Sequence, residues 1–116
     1  MLSDPTGYTV DFDLYCGPQR GQPISSNCLS FDVVNLVQPF ISQGYKVFMD
    51  NFYTSPSLVA ALLSVEIFAT GTLNTSRRGV PPKVLQLKAA LKHSSVPRGT
   101  GYYIRGKDSS IVYICW

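Results

Sequence analysis

Gly44-Tyr45-Lys46-Val47-Phe48-Met49-Asp50-Asn51-Phe52-Tyr53-Thr54-Ser55-Pro56-Ser57-Leu58 is the stretch on which the fold turns. Tyr45 to Met49 is a short run rich in strand formers that stops at Asp50-Asn51, which places Asp50 at the C-terminal end of a strand. In Ser55-Pro56 a capping serine precedes a proline at the first helical position. Leu58, Ala61, Leu62 and Val65 then continue as one apolar stripe, so a helix follows the strand at once. Ile67 to Leu73 reads as the next strand.

Working upstream, Ser30 is placed to cap a helix in which Val33, Val34, Val37, Phe40 and Ile41 recur at helical spacing, ending at Gly44. Pro39 inside that run predicts a kink or an earlier end. Cys16 to Asn27, with Gly17-Pro18, Gly21 and Pro23, has no period and reads as a loop. Residues 8–15 alternate: Tyr8, Val10, Phe12 and Leu14 point one way, Thr9, Asp11, Asp13 and Tyr15 the other, as in a half-buried strand. Pro5-Thr6-Gly7 is a turn, so Asp4 ends a preceding strand formed by Met1 to Ser3. The alternation of strands and helices predicts an α/β fold with a mixed sheet and crossovers.

Composition changes after Asn74. Thr75 to Pro82 is a basic linker, and Lys83 to Lys92 predicts a short helix with Val84, Leu87 and Leu91 on one side. Tyr102–Arg105 and Ile111–Trp116 read as two strands joined through Gly106-Lys107-Asp108-Ser109. The expected organisation is a core over 1–74 and a basic segment over 75–116. The short first strand and the apolar last one predict truncation at both ends.

The 116 residues are 45% hydrophobic and can supply one small core, whole or partial. No run of about 18 apolar residues is present to span a bilayer, and Met1-Leu2-Ser3-Asp4-Pro5 lacks the features of a signal peptide. The chain therefore reads as soluble and intracellular, with no membrane partner. Cys16, Cys28 and Cys115 form no C-x-x-C pair and suit neither a disulfide framework nor a zinc site, so buried apolar thiols are expected. The net charge of +3 is unevenly distributed: residues 1–76 carry −4 and residues 77–116 carry +7. Carboxylates in one half and cations in the other are what an enzyme acting on a polyanion needs; a solvated basic face is the simpler alternative.

Aspartates at the ends of two neighbouring strands can converge on one divalent cation, and such hard oxygen ligands suit Mg2+ or Mn2+. Asp4 and Asp50 fit that pattern, although turn and capping aspartates have the same spacing. Asp11 and Asp13 fall on the outer face of their strand, Asp32 in a helix's first turn and Asp108 in a turn, which makes them poor third ligands. His93 reads as an exposed loop histidine.

The segment Gly44 to Leu58 resembles the signature of piggyBac-type transposases and transposase-derived proteins. The similarity extends to Ser3-Asp4-Pro5-Thr6-Gly7-Tyr8, to Asp11-Phe12-Asp13-Leu14-Tyr15-Cys16-Gly17, to Ala69-Thr70-Gly71-Thr72, to Arg77-Arg78-Gly79-Val80-Pro81 and to Val112-Tyr113-Ile114-Cys115-Trp116. What this resemblance implies is a ribonuclease-H-like catalytic core, truncated at both ends, from a family that performs metal-dependent cut-and-paste DNA transposition with three aspartates. The first falls on Asp4 and the second on Asp50. The third lies beyond the strand ending at Trp116 and has no counterpart, nor do the family's N-terminal DNA-binding part and cysteine-rich zinc region. The family binds Mg2+ or Mn2+, acts on transposon ends and target DNA in the nucleus, and can dimerise when intact.

By the same resemblance Arg77, Arg78 and Lys83 contact DNA phosphates, with a solvated face as the alternative. Phe52 and Tyr53 stack on bases or, the preferred reading, pack between strand and helix. The functional expectation is a transposase fragment that is inactive alone because it lacks the third aspartate. The alternatives are a domesticated, non-catalytic DNA-binding or protein-interaction module using residues 77–107, and an unrelated small α/β protein whose aspartates merely end strands.

Overall fold

A computed structural model describes residues 1–14, 28–93, 95–106 and 109–116, apart from the side chains of residues 28–31. In chain order the elements are β1 (Leu2–Ser3), β2 (Thr9–Asp11), α1 (Cys28–Val37), a 3-10 turn (Gln38–Phe40), β3 (Lys46–Met49), α2 (Pro56–Ser64), β4 (Phe68–Gly71), α3 (Pro82–Leu91), β5 (Tyr102–Arg105) and β6 (Val112–Cys115). The composition is mixed α/β, as expected. The single mixed sheet is not seen: among the described residues the strands form three pairs.

The centre of the molecule is the parallel pair β3–β4, in register from Lys46↔Phe68 to Met49↔Gly71 and connected through α2. Ser55 caps α2, its Oγ accepting from the Leu58 N–H at 3.2 Å, and Pro56 takes the first position. Leu58 and Leu62, four residues apart and so on one helix face, are buried with Val37 and Ile67. Leu2, Val33, Val47, Met49, Val65 and Ala69 pack around this cluster. Each fully buried leucine contributes about 1.5–3 kcal/mol relative to exposure. Ala61, expected in the same stripe, is exposed, because the buried face narrows to the positions that meet β3 and β4.

Helix α2 ends without a glycine. The Ile67 N–H bonds to the Leu62 carbonyl at 2.9 Å and the Glu66 N–H to the Leu63 carbonyl at 3.0 Å, with Glu66 left-handed at φ 60°. This is a Schellman stop, and burial of Ile67 against Leu62 offsets the strain of a non-glycine there.

Other expectations shift. Helix α1 begins at Cys28, so Ser30 lies within it rather than capping it, and Asp32 is its fifth residue rather than a first-turn one. The helix gives way to the 3-10 turn just before Pro39, as that proline predicts, and Gly44 takes a left-handed φ of 70° before β3. Of the strand expected over 8–15, Tyr15 lies outside the described residues; over 8–14 the strand is confined to Thr9–Asp11, and its apolar face is exposed at Tyr8, Val10, Phe12 and Leu14. Its partner β1 is two residues long with an irregular register, too short a ladder to hold a longer strand. The β5–β6 hairpin forms in antiparallel register, Tyr102↔Cys115 to Arg105↔Val112. Helix α3 buries Val84, with Leu87 and Leu91 half-buried. The expected loop over Cys16 to Asn27, and Lys107 and Asp108 of the expected turn, lie outside the described residues. Of the three cysteine side chains, the described one, Cys115, is a half-buried free thiol.

Candidate active site

Asp50 follows β3 directly and opens the turn that leads into α2. Its Oδ1 accepts the backbone N–H of Phe52 at 3.0 Å and of Tyr53 at 3.4 Å. Its carbonyl accepts both the N–H and the hydroxyl of Thr54, at 3.1 and 2.6 Å. Thr54 is the buried polar residue of this region and is fully satisfied by those bonds. Gly71, opposite Met49 at the end of β4, leaves the room Thr54 needs: a Cβ there would overlap the Thr54 hydroxyl and lie 2.7 Å from the Met49 carbonyl oxygen.

The turn is also held from a distance. Arg77 Nη2 donates to the carbonyl of Phe52, and to that of Asn51 at 3.5 Å. The segment that carries Arg77 is itself ordered: the Ser76 N–H and hydroxyl bond to Asn74 Oδ1 at 3.0 and 2.9 Å, and the Arg77 N–H to the Asn74 carbonyl at 3.0 Å. Phe52 and Tyr53 meet edge to face at 5.1 Å but are exposed, so the expected packing between strand and helix is not found.

Asp4 stands in the same relation to β1. Its Oδ1 accepts the Thr6 N–H at 2.9 Å, the Thr6 hydroxyl at 2.6 Å and the Tyr8 N–H at 3.0 Å. The Thr6 hydroxyl holds its carboxyl below the ordinary value; partial burial opposes this, and the Tyr8, Thr6 and Gly7 amides add to it. Asp4 and Asp50 do not end hydrogen-bonded neighbours, because β1 pairs with β2 and β3 with β4. They leave the same core, since Leu2 and Met49 both pack on its cluster. Among the described residues no group of three or more His, Cys, Asp or Glu side chains gathers to hold a metal ion.

Of the cations, Arg78 and Lys83 are exposed and Arg77 is half-buried by its bond to the turn. His93 is exposed, with Nδ1 2.9 Å from the Ser95 hydroxyl. A cavity of about 520 Å³ lies between the end of β4, α3 and β6, with Lys88, Lys92, Arg98, Tyr113 and Trp116 in its lining. No described helix is long and apolar enough to cross a membrane.

Residues 1–116 match the family described as Transposase IS4. The chain belongs to that family. Among solved structures this transposase-family chain is similar to a piggyBac transposase, determined by cryo-EM in a synaptic complex with hairpin DNA, at a TM-score of 0.56. The two are 22% identical, and the match covers 74% of this chain and 17% of that one, so the likeness is one of fold. The transposase relationship read from Gly44 to Leu58 is thereby borne out by the family match, and the fold is like that of a piggyBac transposase. What the motif gave no sign of is the support of Asp50 by Gly71 and Arg77, which only the three-dimensional structure brings together.

Proposed function

We propose that this chain is part of a ribonuclease-H-like transposase core in which Asp4 and Asp50 are two of the carboxylates that hold Mg2+ or Mn2+, and that the 116 residues alone do not cut DNA. One observation carries the reading: each aspartate directly follows a strand rooted in the shared core, with Oδ1 fixed by the amide two residues on. Fixed carboxylates at strand ends present hard oxygens to a cation with little reorganisation.

The donor set fits such an ion in part. The oxygens are of the right kind, but among the described residues two carboxylates fall short of the set a cleavage site needs. When bound, the ion would supply charge neutralisation at the phosphoryl group. What the chain's own residues do is hold the carboxylates, and Arg78 and Lys83 are exposed for phosphate contact. Lys83, in the first turn of α3, is unfavourably placed against the helix dipole, a position that a bound phosphate would relieve. DNA is the partner supported by family membership and by the hairpin-DNA complex of the similar protein. The same relationship supports a nuclear location.

The test is to incubate the purified chain with supercoiled DNA in Mg2+ or Mn2+ and to follow Mn2+ binding by NMR line broadening. The expected result is no nicking, together with broadening around Asp4 and Asp50 that Asp50→Asn abolishes. Nicking lost in Asp50→Ala would overturn the inactive reading, and absence of broadening would overturn the ligand assignment. A second reading, a DNA-binding module without catalysis, is favoured by the exposed cations over 78–98. It requires salt-sensitive DNA binding that weakens in Arg78→Ala/Lys83→Ala.

A further inference from the structure

We infer that Arg77 is a positioning residue for the Asp50 carboxylate, acting through the two peptide units between them; the inference rests on the reading of Asp50 as a ligand. The geometry is specific. The Asn51 carbonyl and the Phe52 N–H belong to one peptide unit, and the Phe52 carbonyl and the Tyr53 N–H to the next. Both N–H groups donate to Asp50 Oδ1. Both carbonyls accept from Arg77 Nη2. A trans peptide is planar with its N–H and C=O opposed, so the two units lie between an anion on one side and a cation on the other.

This arrangement does two things. It fixes the rotation of both peptide planes, which sets where the Asp50 carboxylate is held. It also polarises the units, because a cation at the carbonyl strengthens the N–H as a donor to the carboxylate. Arg77 is suited to the task because one fixed nitrogen serves two carbonyls, whereas an ammonium is a hydrated point charge on a flexible stem. The segment is preset by the Asn74–Ser76 bonds and by left-handed Gly79, where a Cβ would meet Pro56 at the start of α2 at 3.8 Å. The cation thus reaches the turn from 25 residues downstream without ordering a free loop. Arg77 therefore differs in role from its neighbour Arg78, which is exposed.

Amide hydrogen exchange on the full chain tests this residue by residue, comparing wild type with Arg77→Gln, Arg77→Lys and, as control, Arg78→Gln. Exchange at Phe52 and Tyr53 is expected to accelerate about tenfold in Arg77→Gln, less in Arg77→Lys and not in Arg78→Gln, with the Leu62 amide unchanged. In an Asp50→Ala background, where the acceptor of both amides is gone, Arg77→Gln should add little. Uniform acceleration across the chain, or none at the two turn amides, would overturn the inference; a misfolded Arg77→Gln leaves Arg77→Lys to decide the same comparison. Mn2+ titration separates the two ideas. Weaker Mn2+ broadening at Asp50 in Arg77→Gln supports both. No broadening in wild type, with the exchange pattern intact, removes the ligand reading and leaves the positioning role standing.

Discussion

Asp4 and Asp50 begin the same kind of turn, yet the two turns are built from different amounts of the molecule. The Asp4 turn is closed by Thr6, Gly7 and Tyr8, all within four residues, beside a strand whose apolar side chains are exposed. The Asp50 turn draws on Thr54, Gly71 and Arg77 and sits on the buried cluster of Val37, Leu58, Leu62 and Ile67. Local hydrogen bonds suffice to shape a turn around a carboxylate. Tertiary support adds to that hold, and among the described residues only the turn at Asp50 has it.

The contrast is broken most directly at the core. Leu62→Ala should destabilise the chain by about 2–5 kcal/mol, since its side chain is fully buried. Val10→Ala on the exposed face of β2 should change stability by no more than about 0.5 kcal/mol. Urea unfolding of both variants measures the difference. Comparable losses would mean that the N-terminal hairpin is covered in solution and that the contrast between the two turns is smaller than drawn.

A smaller effect is expected where the Asp50 turn meets β4. Gly71→Ala forces a Cβ into the Thr54 hydroxyl and close to the Met49 carbonyl, and should cost about 1–3 kcal/mol. Combining it with Thr54→Ala removes one of the two clashes, so the double variant should lose less than the sum of the singles. Additive losses in a thermal unfolding cycle would show that Thr54 and Gly71 do not share the space the structure gives them.

The same division explains what the sequence made legible. The 45–71 unit could be read because its signals are local: strand formers before Asp50, the Ser55-Pro56 cap, and Leu58 and Leu62 at helical spacing. The position of both aspartates just after strands was legible for that reason too. The exposed face of β2 was not, because alternation reports which side chains share a face and not whether anything covers it. Nor was the stop at Glu66, a residue with no turn preference that becomes left-handed because Ile67 is buried beyond it. The Arg77 contact spans 25 residues and uses backbone carbonyls, which leave no trace in a pattern of side chains.

The smallest predicted effect concerns the isolated turn. Asp4 titrates below its ordinary value of 3.8, chiefly through the Thr6 hydroxyl. A lowered folded-state value means that folding favours the carboxylate. The turn's contribution is therefore complete above the unfolded value and fades as pH falls through the lower, folded one. The Tyr8 amide donates to Oδ1, so the titration its chemical shift reports should have its midpoint below 3.8. Thr6→Ala removes the largest cause and should bring that titration up towards the ordinary value, whereas Asp4→Asn, whose amide oxygen still accepts but does not ionise, should abolish it. If the midpoint in wild type lay at or above 3.8, the Thr6 bond would be too loose to bias the carboxyl, and the Asp4 turn would lack even the local order that separates it from a disordered strand end.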